Sequence, residues 1–170
     1  MRADGHVILC GLSGAGKSTV GPLLAQRLAR PFVDVDAIVE AAAGCSIREI
    51  FAREGEAAFR ARERAVALDT FARKTPAVIA LGGGSLEDDA TLTAALSHVL
   101  VWLDAPVTVL VPRLDGSRPL LAGDAETRLA ALAEKRAPRY GQAHVIVDAT
   151  RAPAAVVDAI ISALAAKVSA

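Results

Sequence analysis

Short, nearly unbroken apolar runs punctuate the chain at 6–12, 32–35, 77–81, 99–103 and 144–147, and longer stretches with helical spacing separate them. Runs this continuous predict strands covered on both faces, as in a parallel sheet, rather than the alternating strands of an antiparallel one. Five strands alternating with helices predict an α/β three-layer sandwich with right-handed crossovers. Ser46-Ile47-Arg48-Glu49 has the spacing of a capping box, so a helix is predicted to start at Ile47. Gly55 is expected to end it, and a second helix to run over 56–72. The last helix, from about Pro153, carries Val156, Val157, Ile160, Ile161 and Leu164 on one stripe. Gly116, Arg118, Pro119 and Gly123 break the periodicity, which predicts a loop within 113–125.

Composition narrows the picture. At 170 residues, with no internal repeat or Ser/Gly linker, the chain is expected to form one domain over 1–170. Lys+Arg number 19 and Asp+Glu 19, and that balance argues against nucleic acid or an anionic membrane as the main partner. Hydrophobic residues make up 53%, enough to build a core and exclude disorder. No apolar run approaches the roughly 20 residues of a membrane helix, and the first residues show no export signal. Cys10 and Cys45 form no CxxC pair and read as small hydrophobes of a reducing, cytoplasmic compartment. His6, His98 and His144 are scattered, each on an apolar run, so they read as strand-end residues rather than zinc ligands. Zero net charge and the lack of a coiled-coil seam fit a monomer.

The chemistry begins at Gly11-Leu12-Ser13-Gly14-Ala15-Gly16-Lys17-Ser18, which matches G-x-x-x-x-G-K-[ST] at every defined position, after a predicted strand and opening a predicted helix. Glycines let successive backbone N–H groups converge on phosphate oxygens, and the helix N-terminus adds a favourable dipole. The expected nucleotide contacts are Gly14, Ala15, Gly16, Lys17, Ser18 and Thr19. Lys17 would reach the β/γ-phosphates, and the Ser18 hydroxyl would sit on Mg²⁺. The chain therefore reads as a binder of nucleoside triphosphate. No N/T-K-x-D guanine motif is present, and the length leaves no room for a helicase or motor. A kinase with a compact acceptor pocket remains.

Further fragments follow in order: Phe32-Val33-Asp34-Val35-Asp36, Ser46-Ile47-Arg48-Glu49-Ile50-Phe51, Gly55-Glu56-x-x-Phe59-Arg60-x-x-Glu63, Gly82-Gly83-Gly84, Ser117-Arg118-Pro119-Leu120-Leu121 and Lys135-Arg136-Ala137-Pro138-x-Tyr140. With the glycine-rich loop, this ordered set resembles the shikimate kinases over essentially the whole chain. The resemblance implies a P-loop kinase fold of the nucleoside-monophosphate-kinase type, with a five-stranded parallel sheet in the order 2-3-1-4-5, acceptor-binding helices over about 36–63 and a lid over about 113–125. It implies ATP-dependent phosphorylation of the 3-hydroxyl of shikimate, in aromatic amino-acid biosynthesis.

The resemblance also distributes roles. Asp34 and Asp36 are two apart, so on a strand both would point to one face at the ligand crevice. The family pattern gives Asp34 to the Mg²⁺ shell, and Asp36 to the acceptor hydroxyls as orienter of the nucleophile and candidate base. By pattern alone Asp104, which follows the run 99–103, is an equal candidate for the metal; only the resemblance favours Asp34. Arg60 and Arg136 are implied to clamp the shikimate carboxylate, with Glu63 holding Arg60. Spacing alone reads Arg60, with Glu56 and Glu63, equally well as a surface ion-pair ladder. Gly82, Gly83 and Gly84 would let backbone approach the acceptor. Arg118 would neutralise charge on the transferred phosphoryl group, with Arg113 as a helper. Arg151 would pack on the base. Phe51 and Phe59 read as pocket walls or as core. Ser85-Leu86 departs from the small-plus-β-branched pair of many relatives, which leaves room for an altered acceptor preference. The alternatives are a related kinase of an open-chain sugar acid, such as a gluconate kinase, and a nucleotide-binding module without catalysis.

Overall fold

Strand β1 (Val7–Cys10) and strand β3 (Val78–Ala80) expose none of their residues, and this apolarity on both faces places them at the sheet interior. The computed structural model describes residues 5–114 and 124–168. Around the two buried strands lie β2 (Phe32–Asp34), β4 (Val99–Asp104) and β5 (Val145–Asp148), all parallel, in the order β2-β3-β1-β4-β5. The crossovers carry helices α1 (Lys17–Arg27), α2 (Val35–Ala43), α3 (Ile47–Phe71), α4 (Asp89–Leu96), α5 (Val107–Leu110) and α6 (Ala125–Tyr140), and α7 (Pro153–Val168) follows the last strand. Helix α1 packs on β2 and β3 and against α7, while α4 packs on β4 and against α3. The expected sandwich and strand order are both present. Among the described residues no helix is long and apolar enough to cross a membrane.

Three local outcomes refine the reading from sequence. The capping box is formed: Glu49 N–H donates to Ser46 Oγ at 3.2 Å, and Ser46 N–H donates to Glu49 Oε2 at 2.9 Å. Gly55 separates two helical stretches as expected: its φ 84° and ψ 173° are not helical, and the two stretches of α3 meet there at a kink. Strand β5 is covered on one face only. Its residues alternate, with Ile146 54% exposed, because an edge strand has only one helix layer against it.

The histidines act as strand-end acceptors. Ala77 N–H donates to His6 Nδ1 at 3.0 Å, His6 N–H to His98 Nδ1 at 3.3 Å, and Leu100 N–H to His144 Nδ1 at 3.1 Å. Each ring takes up a backbone donor at the amino ends of the strands, away from the phosphate-loop end. Among the described residues, the glycine-rich loop, Asp34, Asp36 and Arg151 lie at the opposite edge, where the strands end and ligands of open α/β sheets bind.

Candidate active site

The glycine-rich loop leaves β1 and enters α1 with Gly14 at φ 83° and Gly16 at φ 92°, left-handed values that a side chain would disfavour. Gly14, Ala15, Gly16, Lys17, Ser18 and Thr19 line a cleft of about 600 Å³ at the carboxyl edge of the sheet. Arg113 and Arg151 also line it. Arg113 Nη1 donates to Ala149 O at 3.1 Å, tying the segment after α5 to the loop after β5. Lys17 folds back on its own loop, donating to Gly11 O at 2.7 Å and Leu12 O at 2.9 Å.

Asp34 and Asp36 reach this cleft, but not as strand neighbours. The strand stops at Asp34 and the chain is helical from Val35, because the Asp34 carboxylate caps α2 by accepting from Asp36 N–H at 3.0 Å and Ala37 N–H at 3.4 Å. Its second oxygen accepts from Ser18 Oγ at 2.9 Å. Ser18 and Asp34 thus present oxygen donors side by side, the chemistry that suits a hard divalent cation. Asp104, the rival, lines a different cavity with Trp102, Leu110 and Tyr140.

Across the cleft, β3 ends in Gly82-Gly83-Gly84, and each glycine faces a polar side chain. A Cβ at Gly82 would collide with the carboxylates of Glu63 and Asp36. One at Gly83 would lie 3.5 Å from Arg136 Nη1 and 3.6 Å from both Gly11 O and Ser13 N of the phosphate loop. One at Gly84 would sit 2.5–2.7 Å from the guanidinium of Arg60. Gly82 and Gly84 are bare because Glu63, Asp36 and Arg60 crowd them, while a Cβ at Gly83 would make only ordinary contacts.

Arg60 makes the ion pairs that its spacing suggests, with Glu63 at 2.6 Å and Glu56 at 3.3 Å. This is not a solvated ladder, since Glu63 is buried and accepts a further bond from Ser85 Oγ at 2.7 Å. Burial works against the Arg60 charge, but Glu63 first and then Glu56 outweigh it and leave the pKa raised. Arg136 is buried, with Nε and Nη2 both 2.8 Å from Glu87 Oε1. A second hollow of about 610 Å³ is lined by Glu56, Arg60, Glu63, Gly84, Ser85 and Glu87, among others. Phe59 packs with Val39, Ile47 and Ile50 in a satellite core, and its ring lies 5.0 Å from that of Phe51; neither phenylalanine lines that hollow. Arg118 lies outside the described residues.

Sequence reasoning passed over Glu87, Lys135, Arg139 and the role of Tyr140. Arg139 Nη1 donates to Leu86 O at 3.1 Å and pairs with Asp89 at 2.6 Å, and the Tyr140 hydroxyl donates to Gly83 O. Burial pushes the Tyr140 phenol far up, so it stays a donor. The available signal was helical spacing: 136, 139 and 140 share one face of α6. Burial also pushes the Cys10 thiol up to about 12, despite the charge on Lys17, which makes it inert as a nucleophile.

A cleft shaped for phosphates, with Asp36, Arg60 and Arg136 gathered at the glycine turn beside its loop, suits one reaction: phosphoryl transfer to a small acceptor. That defines the class as a P-loop kinase of small molecules. The family model described as Shikimate kinase matches residues 13–165. A shikimate kinase of Synechococcus sp. (strain RCC307) is 47% identical over 148 residues, covering 85% of this chain and 75% of the relative. One from Salinibacter ruber is 44% identical over 175 residues, covering 95% and 85%. Among solved structures, a shikimate kinase from Acinetobacter baumannii in complex with shikimate superposes with a TM-score of 0.91 at 33% identity, covering 96% of this chain and 94% of that one. The chain belongs to the shikimate kinase family.

Proposed function

We propose a division of labour among these residues for the family's reaction, ATP-dependent phosphorylation of the 3-hydroxyl of shikimate. The chain is a kinase with ATP as its co-substrate. The backbone N–H groups over Gly14–Thr19 hold the phosphates, and Lys17 exchanges its loop carbonyls for β/γ-phosphate oxygens. Ser18 and Asp34 are the residues that would hold Mg²⁺; the ion, when bound, supplies charge neutralisation on the phosphate oxygens. Asp36 meets the acceptor hydroxyls and orients the attacking oxygen. Arg60 and Arg136 take the carboxylate. Gly82, Gly83 and Gly84 keep the space between them open. Arg118 neutralises charge on the transferred group, and Arg151 packs on the base. The reading includes a monomeric, cytoplasmic enzyme, which the two unpaired cysteines and zero net charge support.

One observation carries this reading: Asp36, Arg136 and Arg60 crowd three successive glycines within reach of the phosphate loop. A coupled ADP-release assay across hydroxylated cyclic and open-chain acids tests it. Turnover with shikimate well above the background ATPase, and a product carrying phosphate on the 3-oxygen by ³¹P–¹H correlation, is the expected outcome. Turnover of gluconate alone would overturn the acceptor assignment, and nucleotide binding without transfer would overturn catalysis.

A further inference from the structure

Glu87 is absent from every motif in the sequence, yet it makes the closest polar contacts to Arg136. It ends the one-turn 3₁₀ segment Ser85–Glu87 that follows the glycine turn, and its side chain is a quarter exposed. One oxygen, Oε1, accepts from both Nε and Nη2 of Arg136, each at 2.8 Å. The other, Oε2, pairs with Lys135. Burial acts to raise the Glu87 pKa, but the bonds and charges of Lys135 and Arg136 together prevail and leave it lowered. The carboxylate is therefore ionised at neutral pH.

The geometry divides the Arg136 guanidinium into two edges. Glu87 occupies the Nε–Nη2 edge, while Nη1 turns toward Gly83, on the acceptor side. A planar guanidinium has just such a second edge for a bidentate carboxylate. Charge accounting agrees: Lys135 and Arg136 share a single carboxylate, so one positive charge is left for an incoming anion. A buried arginine with no fixed partner would also be poorly oriented and costly. The same strip of chain is strapped to α6 at three further points, by Arg139 to Leu86 O, Arg139 to Asp89 and Tyr140 to Gly83 O. The turn and α6 therefore move as one body, with Glu87 at the point where they meet the acceptor.

We propose that Glu87 is a positioning residue for the acceptor: it holds one edge of Arg136 so that the other is presented, ready oriented, to the acceptor carboxylate. This rests on the reading that Arg136 binds that carboxylate. The role belongs to binding and not to the chemical step. Glu87→Ala should raise KM for shikimate roughly tenfold, about the worth of a charge-assisted hydrogen bond, with kcat and KM for ATP held within about twofold. Glu87→Gln keeps an oxygen acceptor for Arg136 and should recover most of the loss. Lys135→Met leaves the Arg136 bond in place and should change little. With the methyl ester of shikimate, which lacks the charged carboxylate, wild type and Glu87→Ala should have equal KM values.

Steady-state kinetics on these variants beside Arg136→Ala separate the possible failures. If Arg136→Ala leaves KM for shikimate unchanged, the carboxylate reading itself falls. If Arg136→Ala raises KM and Glu87→Ala does not, only the positioning role falls. A KM that drops in Glu87→Ala, as simple relief of negative charge would give, also overturns it, as does an equal rise for the acid and its ester. Should the alanine variant fold poorly, the Gln variant and Lys135→Met decide the matter: a KM lowered in the first and raised in the second would show a bulk charge effect and sink the proposal.

Discussion

Gly82 and Gly84 are bare for reasons of contact rather than backbone freedom. Gly84 has φ −105° and ψ −2°, values open to any residue, and what forbids a side chain there is the Arg60 guanidinium 2.5–2.7 Å from the missing Cβ. Gly84→Ala is therefore a clean probe of one arginine. It should push Arg60 aside and lower kcat/KM for shikimate by about ten- to a hundredfold, since a displacement near 1 Å is worth that much at a binding site. KM for ATP and the melting temperature should barely change; a normal KM for shikimate would show that Arg60 does not touch the acceptor. Arg118→Ala belongs to the same scale with the opposite signature. A group acting on the transferred phosphoryl should cost about a thousandfold in kcat with little change in KM. Pre-steady-state burst measurements distinguish that loss from slow product release. Spacing alone left Arg60 open as ladder or clamp, and the structure shows the pair with Glu63 to have a buried partner and not a solvated one.

At the level of elements, Asp34 joins two tasks. It ends β2 and caps α2, and it bonds Ser18 of the phosphate loop, so the start of the acceptor-side helices is keyed to the nucleotide site. The tasks can be separated, because asparagine caps a helix about as well as aspartate does. Asp34→Asn should keep the stability of the protein within a few tenths of a kcal/mol by the same comparison, yet lower activity and weaken its dependence on divalent cation. Asp34→Ala should add a loss of about 1 kcal/mol from the missing cap. Thermal melts together with Mg²⁺ titrations of activity check both; an equal stability loss in the two variants would mean that charge, not capping, matters there. The capping box at Ser46 was legible in four consecutive residues. Helix α2 was not, because its cap reads equally well as the end of a strand until the next crossover is in place.

For the whole molecule, the sheet has a polar, ligand-binding edge and a histidine-bearing edge, and acid reaches the second first. Burial, then the charge of Lys167, lowers the His144 pKa from the ordinary 6.5, and its Nδ1 accepts from Leu100 N–H only when unprotonated. The unfolded chain thus binds a proton there more readily than the folded one. The contribution of His144 is full above pH 6.5 and is lost as pH falls from there through its lowered folded value. Melting curves between pH 8 and 5 should show wild type losing stability below about 6.5 and His144→Gln losing less; parallel curves would remove His144 from the acid response.

Local signals carried much of this architecture. Eight consecutive residues state the phosphate loop, the apolar runs state five strands, and Ser46 with Glu49 states a helix start, because each depends on neighbours within a turn or two of chain. The pairs that shape the candidate site are of another kind. Glu87 and Arg136 stand 49 residues apart, and Ser18 and Asp34 stand 16 apart. Gly84 meets Arg60 across two elements, and one face of β5 stays open. No spacing rule relates such residues, since only the crossover connections of the folded sheet bring the ends of different strands together and fix which charge finds which partner.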